Sequence, residues 1–117
     1  MFKILSRQFK DNRNEFNWFD HSWAHYQVHL LNDSYLREQM YLNLNFALQH
    51  NIAIDSFYAV SPHHSGIYPV NNLFYDLWSD IWMIKATSTE GYPHLKPSSL
   101  RRGFIHRNIM VFDYFNI

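Results

Sequence analysis

An α/β domain with parallel strands is the fold class this sequence predicts, and three observations carry it. Segments with a helical apolar period alternate with short runs rich in β-branched and aromatic residues. Stretches containing proline, glycine and serine separate them. The 117 residues are 47% hydrophobic and 19% aromatic, which supplies one ordinary core and excludes a disordered chain.

Residues 1–15 mix charges of both signs and read as a short helix or an N-terminal arm. Phe16 to Leu31, FNWFDHSWAHYQVHLL, follows. Its histidines at 21, 25 and 29 would form one ridge of a helix, with Phe19, Trp23, Tyr26 and Leu30 as a buried stripe roughly opposite. Asn32, Asp33 and Ser34 are candidate N-caps for a further helix, whose apolar face is Leu36, Met40, Leu44, Ala47 and Leu48. That helix should end near His50, with Asn51 able to take a left-handed C-terminal position. IAIDSFYAV, residues 52–60, predicts a strand, and SPHHSGIYP, residues 61–69, a loop. From Asn71 or Asn72 a third helix presents Leu73, Phe74, Leu77, Trp78, Ile81 and Trp82. Met83–Thr87 is a candidate strand, residues 88–99 a loop, and Phe104–Phe115 a strand. Three strands neither close a barrel nor cover both faces of a sheet, so the expectation is part of a larger domain.

Composition narrows the chemistry. Ten basic and ten acidic residues balance, so no global field favours nucleic acid. Without cysteine there are no disulfides and no thiolate ligands, and any metal must be held by His, Asp or Glu. No apolar run approaches the roughly 20 residues of a membrane-spanning helix. Neither a glycine-rich phosphate loop nor a G-x-S-x-G elbow occurs.

Sites in α/β folds gather in loops after strands. His63, His64 and Ser65 lie in one such loop, and Glu90, Tyr92 and His94 in another. Both groups also read as solvated surface residues. Lys96, Arg101, Arg102, His106 and Arg107 form a basic run with no acidic residue between Gly91 and Phe112. Guanidinium groups there suit an anionic polymer, or form an ordinary solvated face.

Six pieces of the chain, FNWFDHSWAHYQVHL, QMYLNLNFALQHNI, YAVSPHHSGIYPV, LFYDLWSDIW, ATSTEGYPHLKPSSLRRGFIH and NIMV, occur in order from Phe16 to Val111. Together they resemble the deacetylase domain of heparan sulfate N-deacetylase/N-sulfotransferases. That domain is similar to polysaccharide deacetylases, so the resemblance implies a fragment of a distorted (β/α) barrel. It divides the chain into an arm at 1–15, a partial deacetylase domain at 16–111 and a divergent tail at 112–117, with no sulfotransferase domain. The polysaccharide deacetylase motif H-[S/T]-x-x-H stands here as His21-Ser22-Trp23-Ala24-His25. By resemblance His21 and His25 are ligands of a divalent metal ion and His29 is an outer group. His63, His64 and Tyr68 would line the substrate groove, and Arg101 and Arg102 would meet carboxylates of the heparan sulfate precursor.

The implied reaction is metal-assisted hydrolysis of the acetamide of N-acetylglucosamine, at the lumenal side of the Golgi membrane, before N-sulfation. A phosphosulfate donor would serve only the sulfotransferase domain. In the family pattern an upstream aspartate supplies the third ligand and the base, and a downstream histidine segment supplies the acid. Neither is expected within these residues, and Asp20 stands where a proline is expected in relatives. No catalytic residue is therefore assigned, and the chain alone is expected to be inactive. A non-catalytic glycan-binding or regulatory remnant is the alternative; a different His/carboxylate metal hydrolase is a third reading.

Overall fold

The computed structural model describes residues 11–54, 57–89 and 103–113. The two α-helices among the described residues begin where the sequence predicts helix starts. Helix α1, Asp33–Gln49, starts at Asn32, whose Oδ1 accepts the Tyr35 amide at 2.8 Å. It ends in a complete Schellman motif: Asn51 takes φ 52°, its amide donates to the Leu48 carbonyl, and the Ile52 amide donates to the Ala47 carbonyl at 2.9 Å. Leu36, Met40 and Ala47 are buried, and Leu44 packs against the core, as the apolar period requires. Leu48 departs from that face and is 67% exposed. Helix α2, Asn72–Ile81, is capped by Asn71, whose Oδ1 accepts the Phe74 amide at 3.1 Å. It buries Phe74, Tyr75, Leu77, Trp78 and Ile81. The Trp82 indole crosses to α1 and donates to the Met40 carbonyl at 3.0 Å, so one buried bond joins the two helices.

The sheet has four strands, β1 (Tyr58–Ala59), β2 (Ala86–Thr89), β3 (Gly103–His106) and β4 (Ile109–Asp113), in the order β1-β2-β4-β3. β1, β2 and β4 are parallel, as expected. β3 is antiparallel to β4, so the expected single strand over 104–115 is a hairpin. Its two-residue turn, Arg107-Asn108, has φ 50° and 61°, a left-handed pair suited to the twist of a tight hairpin. At Gly103 a Cβ would stand 2.0 Å from the Val111 carbonyl oxygen, so only glycine permits this pairing. The expected strand over 83–87 begins later, at Ala86, and takes in Ser88 and Thr89. The mixed α/β class holds; the four strands form an open sheet among the described residues, which agrees with a piece of an α/β domain and does not by itself show a barrel.

The largest correction is residues 16–31. They form no α-helix: Asp20 makes a parallel bridge to Ala59, extending the sheet beside β1, and Val28–Leu30 is one 3-10 turn. The expected buried stripe is consequently on the surface, with Phe19 50%, Trp23 48%, Tyr26 51% and Leu30 72% exposed. Tertiary bonds hold the backbone extended. The Val60 amide donates to the Asp20 carbonyl, the Ala24 amide to Gln39 Oε1, and the Val28 amide to Ser65 Oγ. From this segment Val28 enters the core and Leu31 packs against it.

Candidate functional site

The bridge at Asp20 sets His21 just past the C-terminal end of β1, beside the loop that leaves it. There the His21 ring lies with Nδ1 2.7 Å from the Val60 carbonyl oxygen. A carbonyl only accepts, so Nδ1 carries a proton and donates, and in the neutral ring Nε2 is the lone-pair nitrogen. This is how metal-binding histidines are commonly fixed. A bend at residues 23 and 24, closed by the Tyr26 amide donating to the Ala24 carbonyl, returns His25 to within 4.9 Å of His21, ring centre to ring centre.

The third ring comes from the loop after β1. His63 sits in a 3-10 turn, Pro62–His64, with a left-handed backbone (φ 55°), and its ring centre is 4.4 Å from that of His25. His64 is left-handed too, at φ 54°. Two successive non-glycine residues in this region cost about 1–2 kcal/mol each, so the loop must be held by other contacts. It is. Ser65 Oγ donates to the Pro62 carbonyl at 2.7 Å, Ser61 Oγ donates to the Ser65 carbonyl, and the buried Tyr75 hydroxyl donates to the Ile67 carbonyl at 2.9 Å. Gly66, at φ 76°, lies so close to Val28 and Phe74 that a Cβ would meet each at 3.0 Å. The loop is a packed part of the core that presents His63.

The result is a row of imidazoles, His21, His25 and His63, assembled from two segments. Partial desolvation, and then the charges His63 and His21 would carry, lower the His25 pKa from its ordinary value, which favours the neutral, ligand-competent ring. His29 is not in the row. It lines an open cleft of about 750 Å³ together with Gln27, His63, His64, Tyr68 and Asn71. Arg101 and Arg102 lie outside the described residues, as do Glu90, Tyr92, His94 and Lys96. Two members of the basic run are engaged structurally: His106 Nε2 pairs with Asn72 Oδ1 at 2.7 Å, and Arg107 lies 3.7 Å from the Asp76 carboxylate.

As a metal site, the described residues offer two motif nitrogens and a neighbour. No group of three or more His, Asp or Glu side chains among them is arranged to hold an ion. Asp20, adjacent in sequence, lines neither the His63 cleft nor the cleft beside His21. It is 6% exposed, and burial raises its carboxyl to about 6. The sign of the consequence follows from linkage. The folded state holds the Asp20 proton to higher pH than the unfolded state, so this group's contribution to stability falls as pH rises from about 4 to 6. Asp20→Asn removes that penalty. Urea unfolding should show the variant gaining on the wild type across this window, by on the order of 2 kcal/mol. An unchanged difference between pH 4 and 7 would contradict the assignment.

Comparison with known proteins names the family. A sequence model of the heparan sulfate N-deacetylase deacetylase domain matches residues 7–114. The chain belongs to the heparan sulfate N-deacetylase family. It is 57% identical over 101 residues to the bifunctional heparan sulfate N-deacetylase/N-sulfotransferase of Drosophila melanogaster, covering 86% of the chain and 10% of that protein. With the enzyme numbered 3 of Mus musculus it shares 62% over 99 residues, or 84% of the chain and 11% of the relative. The enzyme numbered 1 of Homo sapiens is 58% identical over 98 residues, 83% and 11% respectively. The chain thus spans about a tenth of the length of these relatives. No helix among its described residues is long and apolar enough to cross a membrane.

The loop histidines and Tyr68 are visible in the sequence as a loop after a strand. Gln27 and Asn71 are not: Gln27 falls in the segment expected to be helical, and Asn71 at the expected start of the third helix. Phe16, Asn17, Trp18 and Phe19, which form a separate apolar cleft with His21 and Val60, all fall in the segment expected to be helical.

Proposed function

We propose that this chain is the histidine-bearing part of a metal-dependent N-deacetylase acting on the precursor of heparan sulfate. The observation that carries the reading is the His21–His25 pair, with the His21 proton fixed on Nδ1 by the Val60 carbonyl. His21 Nε2 and the His25 ring would hold the ion. When bound, a divalent ion polarises the acetamide carbonyl of N-acetylglucosamine and acidifies a coordinated water. His63, beside His25, is suited to bind the sugar at the reacting end, with His64 and Tyr68 on the cleft wall. Arg101 and Arg102 would meet the polymer's glucuronate carboxylates. His29 belongs to the outer wall rather than the ligand set.

Among the described residues no carboxylate joins the imidazole row, so these residues bind and orient substrate without a base to activate water. Hydrolysis would require an aspartate from elsewhere in the enzyme, and transfer of sulfate from a phosphosulfate donor belongs to its sulfotransferase domain. On this reading the enzyme works at the lumenal side of the Golgi membrane. The test is calorimetric titration of the chain with the unsulfated polymer of glucuronate and N-acetylglucosamine, with and without zinc. Binding strengthened by zinc, and losing that gain in His25→Ala, is expected. Saturable binding indifferent to zinc would overturn the deacetylase reading and favour a glycan-binding remnant.

A further inference from the structure

Two clefts adjoin the imidazole row, one lined by His63 and the other by His21. The first is the polar cleft already described. The second, of about 510 Å³, is lined otherwise by Phe16, Asn17, Trp18, Phe19 and Val60. The His25 ring centre is 4.9 Å from that of His21 and 4.4 Å from that of His63. The clefts differ in chemistry. Among the described residues, one offers imidazoles, amides and a phenol; the other is a bowl of aromatic rings with one amide side chain.

The bowl is built in advance of any ligand. The Trp18 indole donates to the Arg13 carbonyl at 2.7 Å, and Phe16 meets its ring edge-to-face at 5.9 Å. Phe19 is braced edge-to-face against Tyr58 of β1 at 5.5 Å. Phe16 and Phe19 each remain 50% exposed. Rigid aromatics kept open to solvent beside a polar centre suit a ligand with one apolar face and a polar rim. A pyranose ring is such a ligand: its axial C–H bonds present an apolar face, and its hydroxyls point outward.

We propose that this aromatic cleft is a second sugar subsite, and that the polymer crosses the imidazole row from one cleft into the other. The inference rests on the polysaccharide reading above and adds a direction and a length requirement to it. The sugar at the row is held by imidazoles, and a neighbouring sugar stacks on Phe16, Trp18 and Phe19. A disaccharide is too short to gain from both clefts; a hexasaccharide fills them.

The test titrates the chain with unsulfated glucuronate–N-acetylglucosamine di-, tetra- and hexasaccharides, following calorimetry and the Trp18 indole resonance. Wild type should bind the hexasaccharide about 10-fold more tightly than the disaccharide, and only the longer ligands should move the indole resonance. Phe16→Ala should remove most of that gain while leaving disaccharide affinity unchanged. Phe16→Leu, which keeps apolar bulk without a ring, should also lose it, and circular dichroism checks that both variants fold. Affinity that rises equally with length in wild type and both variants would overturn the aromatic subsite alone. No binding at any length would overturn the polysaccharide reading with it.

Discussion

Trp78→Ala is expected to destabilise the chain by about 3–5 kcal/mol, a large share of the roughly 5–15 kcal/mol available to a domain. Trp78 is fully buried in the middle of α2. Its ring lies 4.2 Å from that of Phe74 and 6.2 Å from that of Tyr75. Its backbone carbonyl accepts the amides of Trp82 and Ile84, turning the chain from α2 toward β2. Truncation would leave a cavity beneath the helix that carries the Tyr75 bond to the candidate-site loop. A second variant separates packing from polarity. The Trp78 indole nitrogen is buried with no hydrogen-bond partner among the described residues, which itself costs about 1–3 kcal/mol. Trp78→Phe removes that orphan donor with most of the ring retained, so it should cost far less than alanine. Urea unfolding measures both, and equal losses in the two variants would contradict this division.

The second large effect concerns zinc. His25→Ala and His21→Ala should each weaken zinc binding by more than the roughly 10–100-fold that loss of an outer partner costs, because each removes a donor atom. His29→Ala should change it little, since His29 lines the cleft wall away from the row. Calorimetric titration distinguishes these. Comparable losses in His29→Ala and His25→Ala would return His29 to the ligand set.

How much of this the sequence revealed depends on what kind of signal each part leaves. Asn32 and Asn71 cap the two helices because their short side chains reach the first free amides, a local matter that sequence reports well. The β3–β4 hairpin left almost no trace, since Arg107-Asn108 is not a glycine-bearing turn and takes its left-handed pair from strand pairing. Residues 16–31 misled for a physical reason. Their spacing fits a helix on both faces, yet sheet pairing at Asp20 and side-chain acceptors at Gln39 and Ser65 hold the backbone extended. His21 and His25 still meet, through a bend rather than a helical turn. The position of His63 beside them required the long-range packing of its loop on Val28, Phe74 and Tyr75, which no local pattern encodes.

The most direct test of the imidazole row is nitrogen-detected NMR of the histidine side chains during a zinc titration. His21 should be found with its proton on Nδ1 before metal is added, and the His21 and His25 ring nitrogens should shift together as zinc binds. His50 and His106, outside the site, should stay still. A His21 proton on Nε2, or zinc-dependent shifts that bypass His25, would contradict the account.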